Sequence, residues 1–246
     1  MYQTITAEEF RDRLDAGESL TVVDTRADES FESWRLADSV QYFYKPFHEF
    51  DLADFEAETG LGPDDPIVTM CAKGKASDDL AAELAAAGYD NVAVVEEGMR
   101  AWSAVYDHVR IAYDEFSVVQ LQRRAKGCLG YVIASGGEAA VVDATRHTDE
   151  FEAAADALDS EIVAVFDTHV HADHISGGRE LAGELGVPYY LGESATDRRV
   201  DYDYEPLGAN EVVQVGGVDI KALATPGHTS EMVSYLVGHE AVLTGD

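Results

Sequence analysis

The sequence predicts an α/β protein in two modules, and three observations carry that prediction. In the first hundred residues, short apolar runs alternate with helical segments, the pattern of a parallel sheet covered by helices. From about residue 112 the pattern changes to strands joined by tight Gly-Gly turns. Inside this second part, Thr168-His169-Val170-His171-Ala172-Asp173-His174 directly follows the apolar run 162–166, which reads as a buried strand. Three imidazoles and a carboxylate therefore sit on one strand-end loop.

The elements follow in order. Thr6-Ala7-Glu8-Glu9 is a capping box, and Phe10 and Leu14 continue it at helical spacing until Gly17 stops the helix. Residues 20–24 read as a strand, 28–34 and 47–55 as short helices, and 67–70 as the next strand. Residues 77–87 are helical, with Leu80 and Leu84 one turn apart and Gly88 closing the end. A strand at 91–95 and a helix at 99–105 complete the first module. In the second, Gly136-Gly137 joins 129–135 to 138–144 as a hairpin, and Gly216-Gly217 joins 211–215 to 218–223 as another. Residues 148–158 form an acidic helix, 174–185 a helix starting at the histidine cluster, and 193–210 a loop with a short helix.

Imidazole and carboxylate together suit zinc, iron or manganese. A single histidine is ordinarily a core residue, whereas four donors in six positions point to a metal site. Two later segments add donors at strand ends: Thr225-Pro226-Gly227-His228-Thr229 after 218–223, and Leu243-Thr244-Gly245-Asp246 after another apolar run. Asp143 closes the strand that contains 139–142. In this order the segments resemble the metallo-β-lactamase superfamily, in the branch of glyoxalase II and the persulfide dioxygenases, over roughly residues 112–246.

That resemblance implies the N-terminal half of an αββα sandwich over residues 109–246, read as truncated at its C-terminal end because the superfamily fold ordinarily continues beyond Asp246. It also implies two ligand arrangements. In the dioxygenase arrangement His169, His228 and Asp246 hold one Fe(II), and His171, Asp173 and His174 line the pocket. In the glyoxalase II arrangement His171, Asp173 and His174 build a second metal site, with one or two Zn²⁺ ions and a thioester substrate.

In the first module Cys71-Ala72-Lys73-Gly74-Lys75-Ala76 lies between the strand 67–70 and the helix at Ser77. A thiol there faces a helix N-terminus and two lysines, which favour an anion and a larger thiolate fraction. The local sequence alone equally admits a small buried hydrophobe. Val23-Asp24-Thr25-Arg26 before this loop and Glu97-Gly98-Met99-Arg100-Ala101-Trp102 after it make residues 1–108 resemble the rhodanese family, a parallel-sheet α/β sulfurtransferase fold. The resemblance implies that Cys71 carries a persulfide and that Lys73, Gly74, Lys75 and Ser77 bind the substrate, with Asp24 and Arg26 as a structural pair. The chain departs from the family where Ala72 and Ala76 replace loop arginines and where Trp34-Arg35-Leu36 stands for the usual Gly-His-Ile.

A persulfide-carrying domain beside a persulfide-oxidising one shares an intermediate, so the expected function is a sulfur dioxygenase with a sulfurtransferase module. The glyoxalase-II-like hydrolase is the alternative. The substrate is then a thiol persulfide or another anionic sulfur compound, and a homo-oligomer is compatible with the sequence. With 17 Lys+Arg against 48 Asp+Glu, the chain has no basic stripe for nucleic acid. It has no apolar run of about 18 residues to span a membrane. Two cysteines, and an N-terminus without a basic or apolar leader, fit a cytoplasmic protein.

The net charge of −31, spread along the chain beside only five lysines, reads as adaptation to high salt. Raising salt from 0.1 to 1 M shortens the screening length from about 10 to about 3 Å. The thermal midpoint is therefore expected to climb into the molar KCl range. A midpoint that stays level or falls over that range would contradict the reading.

Overall fold

The computed structural model describes residues 1–171, 176–198 and 200–245. The chain divides into two compact units, Met1–Val105 and Tyr106–Asp246.

The first unit comprises β1 (Gln3–Ile5), α1 (Ala7–Asp15), β2 (Thr21–Asp24), α2 (Asp28–Ser33), β3 (Val40–Gln41), α3 (Leu52–Thr59), β4 (Ile67–Met70), α4 (Lys75–Ala86), β5 (Val92–Val95) and α5 (Met99–Trp102). Its five strands are all parallel, in the order β1-β5-β4-β2-β3. Strands buried on both faces need apolar side chains throughout, and β4 and β5 are fully buried along their lengths. The capping box at Thr6 is formed, with Thr6 Oγ1 accepting from Glu9 N and Glu9 Oε2 from Thr6 N.

Several boundaries in this unit differ from those the sequence predicts, and three have a plain physical reason. The helix expected at 47–55 starts instead at Leu52, because Asp51 caps it by accepting from Ala53 N and Asp54 N. It ends on Gly60 in the left-handed region, a position no local apolar period marks. The helix expected from Ser77 begins at Lys75, since Gly74 at φ 88° turns the chain into it sooner.

The second unit begins with β6 (Tyr106–Ala112), β7 (Ser117–Arg123), β8 (Cys128–Ser135) and β9 (Glu138–Val142), an antiparallel meander. After α6 (Thr148–Asp156), β10 (Glu161–Phe166) joins β9 in parallel. After α7 (Gly178–Leu185), β11 (Tyr189–Gly192) and β12 (Glu205–Leu207) extend the sheet. The result is a seven-stranded sheet in the order β12-β11-β10-β9-β8-β7-β6. A second, four-stranded antiparallel sheet holds β13 (Val212–Val215), β14 (Val218–Ala224), β15 (Val233–Val237) and β16 (Ala241–Leu243).

Two cores separate these layers. Phe151, Val141, Val165, Leu181 and Leu191 pack between the large sheet and helices α6 and α7. Phe166, Ile133, Val142, Ile220 and Tyr235 pack between the two sheets. Residues of β10 alternate between the cores, Val165 to the helices and Phe166 to the small sheet, as the period of two dictates. A helix–sheet–sheet stack follows, and it brings the C-terminal ends of β9, β10 and β14 to one edge. Among the described residues no helix is long and apolar enough to cross a membrane.

Candidate functional site

In the first unit the thiol lies at the C-terminal end of β4. Cys71 is 6% exposed, while Lys73 and Lys75 beside it are exposed. Ser77 Oγ lies 3.3 Å from Cys71 Sγ and 2.9 Å from Gly74 O. With its proton on the Gly74 carbonyl, the hydroxyl can accept from the thiol, and with a thiolate it donates instead. Among the described residues this hydroxyl is the donor that reaches Sγ, so Ser77 contacts the sulfur directly.

The loop is held by its backbone. Met99 N donates to Cys71 O at 2.8 Å and Arg100 N to Ala72 O at 3.2 Å, so the start of α5 grips both carbonyls. Gly98, at φ 54°, lies so close that an added Cβ would fall 2.0 Å from Cys71 O. A Cβ on Gly74 would lie 2.9 Å from Glu97 N. Two glycines thus permit the approach of the 97–98 turn to the thiol loop. Asp24, buried, accepts from Arg26 Nε and Nη2, and Arg26 Nη2 also donates to Trp34 O at 2.6 Å. The pair therefore braces the neighbouring loop, not the sulfur.

In the second unit the histidine loop leaves β10 through Asp167 and Thr168. His169 and His171 have ring centroids 4.1 Å apart, and His228, on the loop after β14, has its ring 5.0 Å from that of His169. Three imidazoles from two loops therefore meet. Gly245, after β16, packs on the same loop, since a Cβ there would come within 2.5 Å of Thr168 Oγ1. Asp173, His174 and Asp246, expected as ligands, lie outside the described residues.

Asp143 organises this loop from the end of β9. It holds φ at 54°, a strained value for a non-glycine residue. Its Oδ1 accepts from Thr168 N at 2.7 Å and lies 3.1 Å from both Thr168 Oγ1 and His171 Nε2. Thr168 Oγ1 in turn lies 2.9 Å from His169 Nδ1. Proton accounting follows from these contacts. Thr168 gives its hydroxyl proton to the carboxylate and accepts from His169 Nδ1–H, which puts the lone pair of His169 on Nε2. His171 donates Nε2–H to Asp143, which puts its lone pair on Nδ1.

Asp167 belongs to none of the segments that the sequence singles out. It is fully buried, accepting from Ser176 Oγ and Tyr189 Oη at 2.7 Å each, with His171 Nε2 at 3.8 Å. Burial, reinforced by the charge of Asp143, pushes its carboxyl up to about 7 against the opposing pull of His171, Ser176 and Tyr189. Burial and the charge of Asp167 likewise hold the Tyr189 phenol far above its usual range. An Asp directly after a buried strand is the available signal, but its partners come from segments outside that strand, Tyr189 in β11 and Ser176.

The donor chemistry fits a divalent transition metal. Imidazoles with one ring nitrogen anchored by a carboxylate or a hydroxyl match how metal-binding histidines are oriented. Asp143, Asp167 and His171 also bring ligand atoms within 4.8 Å of one another. Their carboxylates already accept from Thr168, Ser176 and Tyr189, so in this arrangement they brace the loop.

Comparison with known proteins agrees with both units. A Rhodanese-like domain model matches residues 6–105, and a Metallo-beta-lactamase superfamily model matches residues 123–246. A hydroxyacylglutathione hydrolase of Acidiphilium cryptum is 32% identical over 139 residues, covering 55% of this chain and 55% of that protein. A hydroxyacylglutathione hydrolase of a Synechococcus strain is 36% identical over 97 residues, covering 39% of this chain and 38% of its own length. The chain thus spans about half or less of these curated relatives. A metallo-beta-lactamase structure from Staphylococcus aureus aligns with TM-score 0.48 at 27% identity, covering 52% of this chain and 40% of that one.

Proposed function

We propose, from the premise that this chain belongs to the metallo-β-lactamase superfamily and carries a rhodanese-like domain ahead of that fold, that it is a sulfur-metabolism enzyme. Cys71 would carry sulfur as a persulfide, and the second domain, with a metal held by its imidazole loops, would be the site where a thiol persulfide is oxidised to sulfite. The observation that carries the reading is the pairing, in one chain, of a loop thiol touched by Ser77 with converging imidazoles of the second fold. A sulfane sulfur made on the first domain is the substrate class of the second, whereas a thioester shares no intermediate with a sulfurtransferase.

His169, His228 and Asp246 would hold Fe(II), with His171, Asp173 and His174 around them. When bound, iron in that donor set supplies open positions and redox chemistry for oxygen and sulfur. The chain's own residues do the rest. Asp143 and Thr168 fix the tautomers of His171 and His169 and hold their lone pairs toward the site. Lys73 and Lys75 offset the negative field of the chain where an anionic sulfur compound approaches Cys71. The overall change is balanced: a thiol persulfide, O₂ and water give the thiol, sulfite and two protons. The outer sulfur loses four electrons to O₂. We place this chemistry in a reducing, high-salt cytoplasm.

The relatives named hydroxyacylglutathione hydrolase favour a second reading. In it, the same cluster together with Asp173 and His174 would hold Zn²⁺, which would supply the chemistry for hydrolysing a thioester.

One experiment separates the two. Full-length protein loaded anaerobically with Fe(II) is expected to consume oxygen and release sulfite when given glutathione persulfide, and the Zn²⁺ form to do neither, since zinc has no redox chemistry. Two zinc ions per chain, thioester hydrolysis and no oxygen uptake with iron would decide for the hydrolase.

A further inference from the structure

Glu231 is a buried carboxylate that neither reading employs. It lies three residues beyond His228, on the segment entering β15, and its side chain is 1% exposed. Its Oε1 accepts from Val170 N at 3.3 Å, and Val170 is the residue between His169 and His171. Ser230 Oγ reaches its Oε2 at 3.4 Å. Arg198, from the 3₁₀ turn Glu193–Arg198, brings Nε within 3.6 Å of Oε1 and is itself 39% exposed. Gly192 allows the close packing, since a Cβ there would lie 2.9 Å from Glu231 O.

A carboxylate taken this far from water is costly unless it is paired and hydrogen-bonded. Here its partners are the backbone of one imidazole loop and a guanidinium from a third segment, while its own backbone belongs to the other imidazole loop. Val233 N also donates to Thr168 O at 2.8 Å, so the two loops are already laced by backbone on one side. Glu231 adds a second tie, made by a side chain, at Val170.

We infer that Glu231 is a positioning residue that ties the His169–His171 loop to the His228 loop and so sets the spacing of the imidazoles for a metal, with Arg198 as its counter-charge. The inference rests on the metal-centre reading above but not on which reaction the metal performs. Outer partners of metal-binding side chains commonly change affinity by about 10- to 100-fold when removed.

The test uses full-length protein, Zn²⁺ affinity by competition with a chromophoric chelator, and the visible absorption of the Co²⁺ form. Glu231→Ala is expected to weaken Zn²⁺ binding by about tenfold or more and to alter the Co²⁺ bands. Glu231→Gln, whose amide oxygen still accepts from Val170 N–H, should stay within about threefold of the wild type. Glu231→Asp keeps the charge but is one methylene too short to reach Val170, and should behave like the alanine variant. If Glu231→Ala does not fold, the Asp and Gln pair decides. Wild-type affinity and Co²⁺ bands in the Asp and Ala variants overturn the inference. A wild-type protein that binds no Zn²⁺, like a His169→Ala control, fails the metal-centre reading itself.

Discussion

Cys71→Ser is expected to remove sulfur transfer from thiosulfate or a thiol persulfide, by about three orders of magnitude or more, while metal content stays at the wild-type level. The size follows from the nucleophile. A serine hydroxyl is almost wholly protonated at neutral pH and forms no persulfide, and loss of a nucleophile ordinarily accounts for most of an enzyme's acceleration. The geometry makes the substitution clean. Cys71 keeps its backbone bond to Met99 N, Gly98 still fits against its carbonyl, and an oxygen in place of Sγ remains within reach of Ser77. Cys128→Ser serves as the control and should leave transfer intact. Cyanolysis assays with thiosulfate, and persulfide detection by mass spectrometry on the loaded protein, read the outcome. Undiminished transfer by Cys71→Ser would return this thiol to the role of a small buried side chain.

His169→Ala is expected to empty the metal site and abolish oxygen uptake together. His169 is 1% exposed, has its ring 4.1 Å from that of His171 and 5.0 Å from that of His228, and has its Nδ1 at 2.9 Å from Thr168 Oγ1, which leaves Nε2 as its ligand atom. Removing one donor from a three-ligand face leaves too few to hold a labile divalent ion. Asp246→Ala should do the same. His171→Ala should lower activity while the iron remains, because in the dioxygenase arrangement His171 borders the site without completing it. Metal analysis after dialysis and an oxygen electrode give both readouts. Retention of a full equivalent of iron by His169→Ala would remove this residue from the ligand set. Loss of metal from His171→Ala would point to the hydrolase reading, in which His171, Asp173 and His174 are themselves ligands.

Much of the fold could be read locally. The capping box at Thr6, the apolar runs of β4, β5 and β10, and the two Gly-Gly hairpins each encode their element within a few residues, where steric and hydrogen-bond rules act. Elements with no local signal escaped. β3 is two residues long, β6 is an edge strand whose residues from His108 onward lean to solvent without a clean alternation, and β12 is three residues inside a polar stretch. Each exists because a neighbouring strand offers its hydrogen bonds, which is a property of the sheet and not of the segment.

The candidate sites divide in the same way. The candidate groups are legible in the sequence alone: a cysteine between a strand and a helix, and an unusual density of imidazole and carboxylate at strand ends. Side-chain chemistry and its spacing are written residue by residue, so they survive without a fold. Tertiary structure alone decided how those groups are held. Ser77 reaches the sulfur because Gly74 turns α4 in early, and Gly98 fits against Cys71 from a turn 27 positions away by number. Asp143 reaches His171 across 28 positions and Glu231 reaches Val170 across 61. Such contacts join segments that share no pattern, and they form only when packed sheets bring distant strand ends to one edge.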